Sequence, residues 1–475
     1  MPVEVLIIAA VAVIILIAFI VSEQPIWIGL AASGSLGLLM LEGSDITVAT
    51  VGSKPFSAVS SYSLVIIPMF VLMGVIATRA GLAEDIFAIA RKFSNRLPGS
   101  LGIATILASG GFGAVSGSSA ATVVTVGRMA VGEMTKGGYR PNSAAALVAI
   151  GGTLGVLIPP SIALIVYASL TGESVGALLL AAVIPGILTI LVYSIMVVIM
   201  YRRGSLTEPG VVTSRRAATV TSSAKGGANT TSLVQGADLT RAFAPDSDRS
   251  SVSRRNIVGA LFAAGLFLII VGGLYTGLVT ATESGAVAAA IALVILGVRL
   301  WRTGPKKLAV NLKDSFAEAT SLSAMIFALL LGGSIFSYFI VSTRIPAELA
   351  RFIIAADLPV YGVLIAAIIA LVILGAFLDS LSLMLIIVPL LYPITAGIGV
   401  DGIWFGILVV KAVEIGLVTP PFGLNVFVAA GISKKTTSEG IFRAVLPMIL
   451  AEFVVIALLL AVPELVTWLP SRVRG

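Results

Sequence analysis

The chain has 475 residues, of which 58% are hydrophobic and only 11% charged, with a formal net charge of +7 and a mean hydropathy of +1.10. A soluble domain is about 45–50% apolar and about 25% charged, so this composition belongs in a lipid bilayer. There is no cysteine and no histidine, which excludes thiol nucleophiles, disulfides, imidazole bases and imidazole metal sites. The excess of positive charge calls for no nucleic-acid partner, because cytoplasmic loops of membrane proteins are basic.

A spanning helix needs about 20 mostly apolar residues. The first such run is Val5–Val21. Glu4 is the only side-chain charge before it, so it lacks the basic start of a signal peptide and reads as a retained helix. Ile26–Leu41 and Leu64–Ala80 follow. Leu82–Leu97 is amphipathic, with Ile86, Phe87, Ile89, Ala90 and Phe93 among its apolar positions. It is too charged to span and is expected to lie in the interface. Leu101–Val131 is too long for one span and breaks at the polar Ser116–Ser119, which fits a re-entrant hairpin. Ala144–Ala168 and Val175–Tyr201 are the next two spans. Arg202–Arg255 is rich in Ser, Thr, Gly and Ala without an apolar period, and is expected to be a disordered linker. Beyond it come Ile257–Leu274, Gly285–Leu300 and Thr320–Val341. A second long stretch, Val360–Ile398, breaks at Asp379–Ser382, and Ile403–Ala429 and Val445–Val462 complete the series.

The two halves resemble each other. "FGAVSGSS" faces "LGAFLDSLS", matching Gly113-Ala114 to Gly375-Ala376, and "GVLIPP" faces "GLVTPP", matching Gly155 to Gly416. The matched glycines lie 42 residues apart in the first half and 41 in the second. Five spans is an odd number, so the second half starts on the opposite side from the first. The expected fold is therefore an all-α polytopic membrane protein with an inverted-topology repeat, each repeat having five spanning helices and one re-entrant hairpin. The first repeat covers residues 1–201, with an amphipathic arm at 82–97, a hairpin at 101–131 and a broken helix at 144–168. The insert is 202–255. The second repeat covers 256–475, with a hairpin at 360–398 and a broken helix at 403–429.

The basic loops set the orientation. Arg91, Lys92, Arg96, Arg128, Lys136, Arg140, Arg202, Arg203, Arg299, Arg302, Lys306, Lys307, Lys434 and Lys435 all fall on one side. That side is the cytoplasm, which puts both termini in the periplasm and 202–255 inside. Arg344, Arg351, Arg472 and Arg474 fall on the other side and are outnumbered.

Glycine and proline in the middle of a lipid-embedded run need a reason. Pro159 and Pro160 remove amide donors and free carbonyls in the turn before them, and Pro420 and Pro421 do the same in the second half. Non-helical backbone at membrane depth is tolerated only inside protein or beside water. The freed carbonyls and the hydroxyls of Ser116, Ser118 and Ser119 are hard oxygen ligands that suit a small alkali cation. Half-helix N-termini at the same breaks suit a carboxylate. The second half supplies Asp379, Ser380, Ser382, Thr419 and Asn425. Together these read as a midplane site for an anion and coupling cations. Among intramembrane charges, Lys411 and Glu414 share a helical face and read as a neutralising pair, Glu283 reads as a helix cap, and Asp379 carries the functional suspicion.

The stretches "GAVSGSSAAT", "GEMTKGGYRP", "GGTLGVLIPPSIALIVYA", "GLVTATESGAVAA", "GAFLDSLSLMLIIVPLLYPI" and "EIGLVTPPFGLNVFVAAGI" resemble the large membrane (DctM-type) permease subunit of tripartite ATP-independent periplasmic (TRAP) transporters. The resemblance spans nearly the whole chain except Arg202–Arg255. It implies an elevator-type ion transporter in the bacterial inner membrane, not an enzyme, that takes up an organic anion, usually a carboxylate, on a sodium gradient. It implies two partners: a periplasmic substrate-binding protein and a small four-helix membrane subunit, here a separate chain since no such segment precedes Met1. No cofactor is implied beyond Na+ as coupling ion. Ser118, Asp379, Ser380, Ser382 and Asn425 would then face the substrate. Ser116, Ser119, Gly152, Thr153, Ile158, Pro159, Gly375, Gly416, Thr419 and Pro420 would hold sodium, and Pro160 and Pro421 would complete the helix breaks. Two other classes are compatible with the composition: a stand-alone ion-coupled anion exchanger that needs no binding protein, and an intramembrane enzyme. The second lacks any Ser/His, metal-cluster or paired-aspartate arrangement.

Overall fold

The computed structural model describes residues 3–208, 253–301, 304–433 and 435–472. Arg302, Lys434, Arg474 and all but the edges of the 202–255 insert lie outside the described residues. Helices α1 (Val3–Val21), α2 (Ile26–Glu42) and α3 (Ser44–Val59) are followed by a 3-10 turn, Tyr62–Val65, that leads into α4 (Ile66–Arg79). Next come α5 (Leu82–Ser94), α6 (Ser100–Ser116), α7 (Ser119–Lys136), α8 (Pro141–Leu157), α9 (Ile162–Thr171), α10 (Val175–Ala181) and α11 (Val183–Arg202). The second half contains α12 (Arg254–Thr276), α13 (Ala281–Leu300), α14 (Pro305–Ser342), α15 (Ile345–Ala355), α16 (Val360–Gly375), α17 (Ser380–Gly397), α18 (Gly402–Gly416), α19 (Leu424–Ala430), α20 (Ser438–Ala461) and α21 (Glu464–Ser471).

By length and composition eight of these helical segments can cross a membrane, or nine with the pair α8–α9, which bends by 43°. The sequence reading expects ten. The difference has local causes. The left-handed Gly43 ends α2 after 17 residues. Residues 417–423 interrupt Ile403–Ala429, leaving α18 with 15 residues and α19 with seven. In the other direction, Ser380–Gly397, expected as one arm of a hairpin, is apolar enough by itself. The sequence reading omits α3, α15 and α21, which lie outside its long apolar runs. It also misses the first part of α14, a 38-residue helix whose polar start bears Asp314 and Glu318. Arg79 at the end of α4 pairs with both, at 3.7 Å and 2.7 Å.

The core is built on α8, in which every residue from Ser143 to Leu157 is buried. Its alanines and glycines let α6, α7, α19 and α20 pack closely around it. A second group forms around α14, which runs against α2, α3, α4 and α17. Large apolar side chains on α1, α12 and α16, such as Ile14, Leu268 and Ile369, point outward. In water they would form an adhesive patch; lipid solvates them.

The amphipathic arm runs Leu82–Ser94. Its apolar positions divide: Ile86, Phe87 and Ala90 are buried against the protein, whereas Phe93 is 85% exposed. Asp85 ion-pairs with Arg299 of α13, and Arg299 also donates to the Ala80 carbonyl at 2.6 Å. Burial pushes the Asp85 carboxyl above the usual carboxylate range, and Arg299 opposes that rise. Glu283 caps α13 in a capping box with Thr280, as the sequence suggests.

Candidate transport site

Two helix junctions meet two helix breaks at the centre of the molecule. The first junction joins α6 to α7. Gly117 adopts the left-handed conformation (φ +63°) against the Pro160 carbonyl, where a side chain would collide. Ser118 is extended and caps α7, its hydroxyl accepting from the Ala121 amide at 3.4 Å. Ser116 Oγ lies 2.9 Å from Thr122 Oγ1, and Thr122 donates to the Ser118 carbonyl at 2.8 Å. The second junction joins α16 to α17. Asp379 caps α17: its Oδ1 accepts from the amides of Leu381 and Ser382 at 3.0 and 3.1 Å, and its Oδ2 accepts from the Ser382 hydroxyl. A carboxylate is at its most favourable there, against the positive end of the helix dipole.

The breaks answer the junctions. Residues 158–161 separate α8 from α9, with Ser161 capping α9 and donating to the Val156 carbonyl. Residues 417–423 separate α18 from α19, where the amides of Phe422 and Gly423 both donate to the Ala376 carbonyl at 3.2 Å. Both Pro159-Pro160 and Pro420-Pro421 are cis. Each junction crosses its break backbone to backbone at the matched glycines. A methyl on Gly113 would sit 2.9 Å from Gly155 Cα, and one on Gly416 would sit 2.6 Å from Gly375 Cα. Only glycine permits either approach.

A cavity of about 370 Å³ opens where these parts converge. Ser118, Ser119, Asp379, Ser380, Ser382 and Asn425 line it together, with Pro25 and the first turn of α2 (Ile26 and Trp27) and Met325 and Leu329 of α14 as its other wall. The first turns of α7 and α17 both face this space, so two helix N-termini converge on it. Ser119 donates to Asn425 Oδ1 at 2.6 Å, and Asn425 Nδ2 donates to the Ala149 carbonyl at 3.1 Å, which binds the two halves at this point.

The other residues singled out from sequence sit elsewhere. Ser116, Gly152, Pro159, Pro160, Gly375, Gly416, Thr419, Pro420 and Pro421 do not line the cavity. Ile158 faces a separate apolar cavity beside α5. Thr419 is half-buried and donates to the Ile415 carbonyl at 2.6 Å. Thr153 donates to the Ile150 carbonyl at 2.7 Å and lies 3.2 Å from the Tyr193 hydroxyl. That hydroxyl belongs to a buried charged cluster. Lys411 pairs with Glu414 at 2.7 Å and also with Glu452, all three fully buried, and Thr153 Oγ1 is 3.4 Å from Glu452 Oε1. Glu452 escapes a reading based on helical spacing because it lies on a different helix, α20. The readable signal was a lone carboxylate inside the apolar run Val445–Val462.

The model of the family described as "Tripartite ATP-independent periplasmic transporter, DctM component" matches residues 13–465. The chain is 31% identical to the C4-dicarboxylate TRAP transporter large permease protein DctM of Vibrio cholerae, over 97% of each chain. It is 30% identical to the isethionate TRAP transporter permease protein DctMQ of Oleidesulfovibrio alaskensis, covering 95% of this chain and 64% of that one. Among solved structures, its fold is similar to that of the YdaH transporter of Alcanivorax borkumensis, with a TM-score of 0.55 over 89% of each chain at 16% identity. A family match over nearly the whole length, on an all-helical membrane architecture, establishes that this chain belongs to the DctM component family of TRAP transporter large permeases.

Proposed function

We propose that this chain carries an organic anion across the bacterial inner membrane, driven by sodium and supplied by a periplasmic binding protein. The observation that carries the reading is the cavity between the α6–α7 and α16–α17 junctions. It joins two helix N-termini, four serine hydroxyls and Asn425 in one space with Asp379, whose carboxylate is already engaged by the amides of Leu381 and Ser382 and by the Ser382 hydroxyl. Helix N-termini and hydroxyls suit an anionic head group. The carbonyls freed at the two proline breaks, with Ser116, Ser119 and Thr419, suit sodium beside it. On this reading the junctions and breaks move together as the transport element, α2 and α14 belong to the fixed scaffold, and the two halves are inverted repeats. The family relatives named above act on different anions, a C4-dicarboxylate and isethionate. The anion class is therefore proposed as small organic acids. One relative's name, DctMQ, supports a small membrane subunit as partner.

The test is uptake into proteoliposomes that contain this chain and the small subunit, with the binding protein outside. Uptake should require both the binding protein and an inward sodium gradient. Uptake without binding protein would favour a stand-alone exchanger, and uptake on a proton gradient alone would remove sodium. Orientation has its own test. Cysteines placed at Ser222 and at the C-terminus meet no native cysteine background. An impermeant thiol reagent on intact cells should label the terminus and not position 222.

A further inference from the structure

A second polar cleft, of about 540 Å³, lies along the same two helices as the central cavity. The central cavity takes Met325 and Leu329 of α14 and Ile162 and Ala163 of α9. The second cleft continues along the same two helices, from Leu330 to Val341 on α14 and from Ile165 to Leu170 on α9. The two linings therefore abut on both helices, and the cleft runs on from the cavity toward the C-terminal ends of α9 and α14.

The chemistry of the cleft is that of an anion entrance. Its third wall is α3, which contributes Lys54 and Ser57. Ser61, Ser169, Ser334 and Ser337 add hydroxyls from three sides. Lys54 has no carboxylate partner among the described residues; its ammonium rests 4.7 Å above the Tyr338 ring. Glu173 lines the far end, where its carboxylate accepts from the Tyr392 hydroxyl at 2.7 Å. The cleft thus holds one ammonium without an ion-pair partner among the described residues and one carboxylate engaged by a tyrosine, with the Ser61, Ser169 and Ser337 hydroxyls between the walls.

We propose that this cleft is an anion-binding vestibule in which Lys54 holds the head group of an organic anion on its way to or from the central cavity. The proposal rests on the transport reading above, and it adds a second subsite to it. Clefts lined by one sign of charge raise local counter-ion concentration and rates by about 10–1000-fold; one ammonium accompanied by Glu173 places the expected effect at the bottom of that range, about tenfold.

Ser337→Cys supplies a unique thiol in the cleft, because the native chain has none. Anionic sulfonatoethyl methanethiosulfonate should label it about tenfold faster relative to the cationic trimethylammonium reagent than it labels an exposed control cysteine. Lys54→Gln should abolish that preference and Lys54→Arg should restore it. Ser61→Cys repeats the measurement from another wall should Ser337→Cys fail to insert. In proteoliposomes, Lys54→Gln should raise the half-saturating concentration of loaded binding protein about tenfold and leave the sodium dependence unchanged. An unreactive thiol, or equal labelling by both reagents, would overturn the vestibule. So would a charge preference without any change in uptake by Lys54→Gln. Absence of uptake by every variant and by the native chain would instead count against the transport reading, while the labelling result would still decide whether the cleft collects anions.

Discussion

The two proline breaks are alike in sequence and unlike in setting. Residues 151–161, around Pro159-Pro160, are buried throughout. The second break exposes Pro420, Pro421 and Phe422 and leaves Thr419 half-buried. The first break is closed by Gly117 against the Pro160 carbonyl and by the Ser161 cap. The second has no side-chain cap on α19 and depends on two amides reaching the Ala376 carbonyl. The same device thus makes a packed joint in one half and an accessible joint in the other. Packing makes the first joint a matter of fold stability. Exposure leaves the second with fewer neighbours to hold it.

The charged cluster is where this contrast can be broken most decisively, because it ties the two joints together. Thr153 comes from the helix before the first break, and Lys411 and Glu414 come from the helix before the second. Lys411→Met would leave Glu414 and Glu452 buried without their cation. Removing one partner of a buried ion pair costs about 3–5 kcal/mol, so the variant should lose most of its folded, monodisperse fraction in detergent. If thermal unfolding were unchanged, the joints would not be coupled through this cluster.

The next effect compares the joints directly. Gly117→Ala places a methyl against the Pro160 carbonyl in a left-handed backbone. Overpacking of about 1–3 kcal/mol then adds to a left-handed penalty of about 1–2 kcal/mol. Gly423→Ala is also left-handed, at φ +39°, but its methyl would meet the Phe442 ring at 2.9 Å, which can turn away, and the Thr419 carbonyl oxygen at 3.0 Å, a milder approach than that of Gly117 to the Pro160 oxygen. Its packing cost on top of the left-handed penalty should therefore be smaller. Unfolding followed by intrinsic fluorescence should rank Gly117→Ala well below Gly423→Ala. An equal loss would mean the second joint is as tightly packed as the first.

That ranking also marks what the sequence makes legible. Gly, Pro and Ser announce where helices break, and the matched intervals bring Gly113 to Gly155 and Gly375 to Gly416. Six residues chosen from sequence, Ser118 and Asp379 among them, do line one cavity. Burial is another matter. It depends on which neighbours cover a break, and nothing in "GVLIPP" against "GLVTPP" says which of the two is covered. Asp379 illustrates a further limit. A lone carboxylate in an apolar run invites a ligand role, yet both its oxygens are engaged at the start of α17. Glu452 and the Lys54 cleft went unread because their partners are distant in sequence.

A smaller effect is expected on the cation. The Thr419 hydroxyl is bonded only within its own helical turn, to Ile415, whereas Ser119 reaches across to Asn425. If both hold sodium, losing one ligand is worth about 1–3 kcal/mol, or roughly ten- to hundredfold in affinity. Thr419→Ala should raise the sodium needed for half-maximal uptake and leave stability nearly unchanged. Ser119→Ala should raise it too, with some loss of stability because Asn425 Oδ1 is left without its donor. Maximal uptake at saturating sodium should partly recover in both. Wild-type sodium dependence in both variants would remove these hydroxyls from the cation site.

The smallest effect should come from the segment between the halves. The joints are connected through space by Ser119 and Asn425 and by the charged cluster, so their coupling does not run through the linker. The first residues of the insert are anchored separately, with Leu206 buried and the Arg140 backbone amide donating to its carbonyl at 2.9 Å. Deleting Gly210–Asp246 leaves that anchor intact. If the insert is the linker its composition suggests, its length changes loop-closure free energy by only about 0.6 kcal/mol per doubling, far less than the contacts that hold the joints. Uptake by the deletion variant, normalised to membrane-inserted protein, should therefore stay near that of the full chain. A loss of uptake in well-inserted protein would show that the insert acts on one of the two joints, and its effect on sodium dependence would tell which.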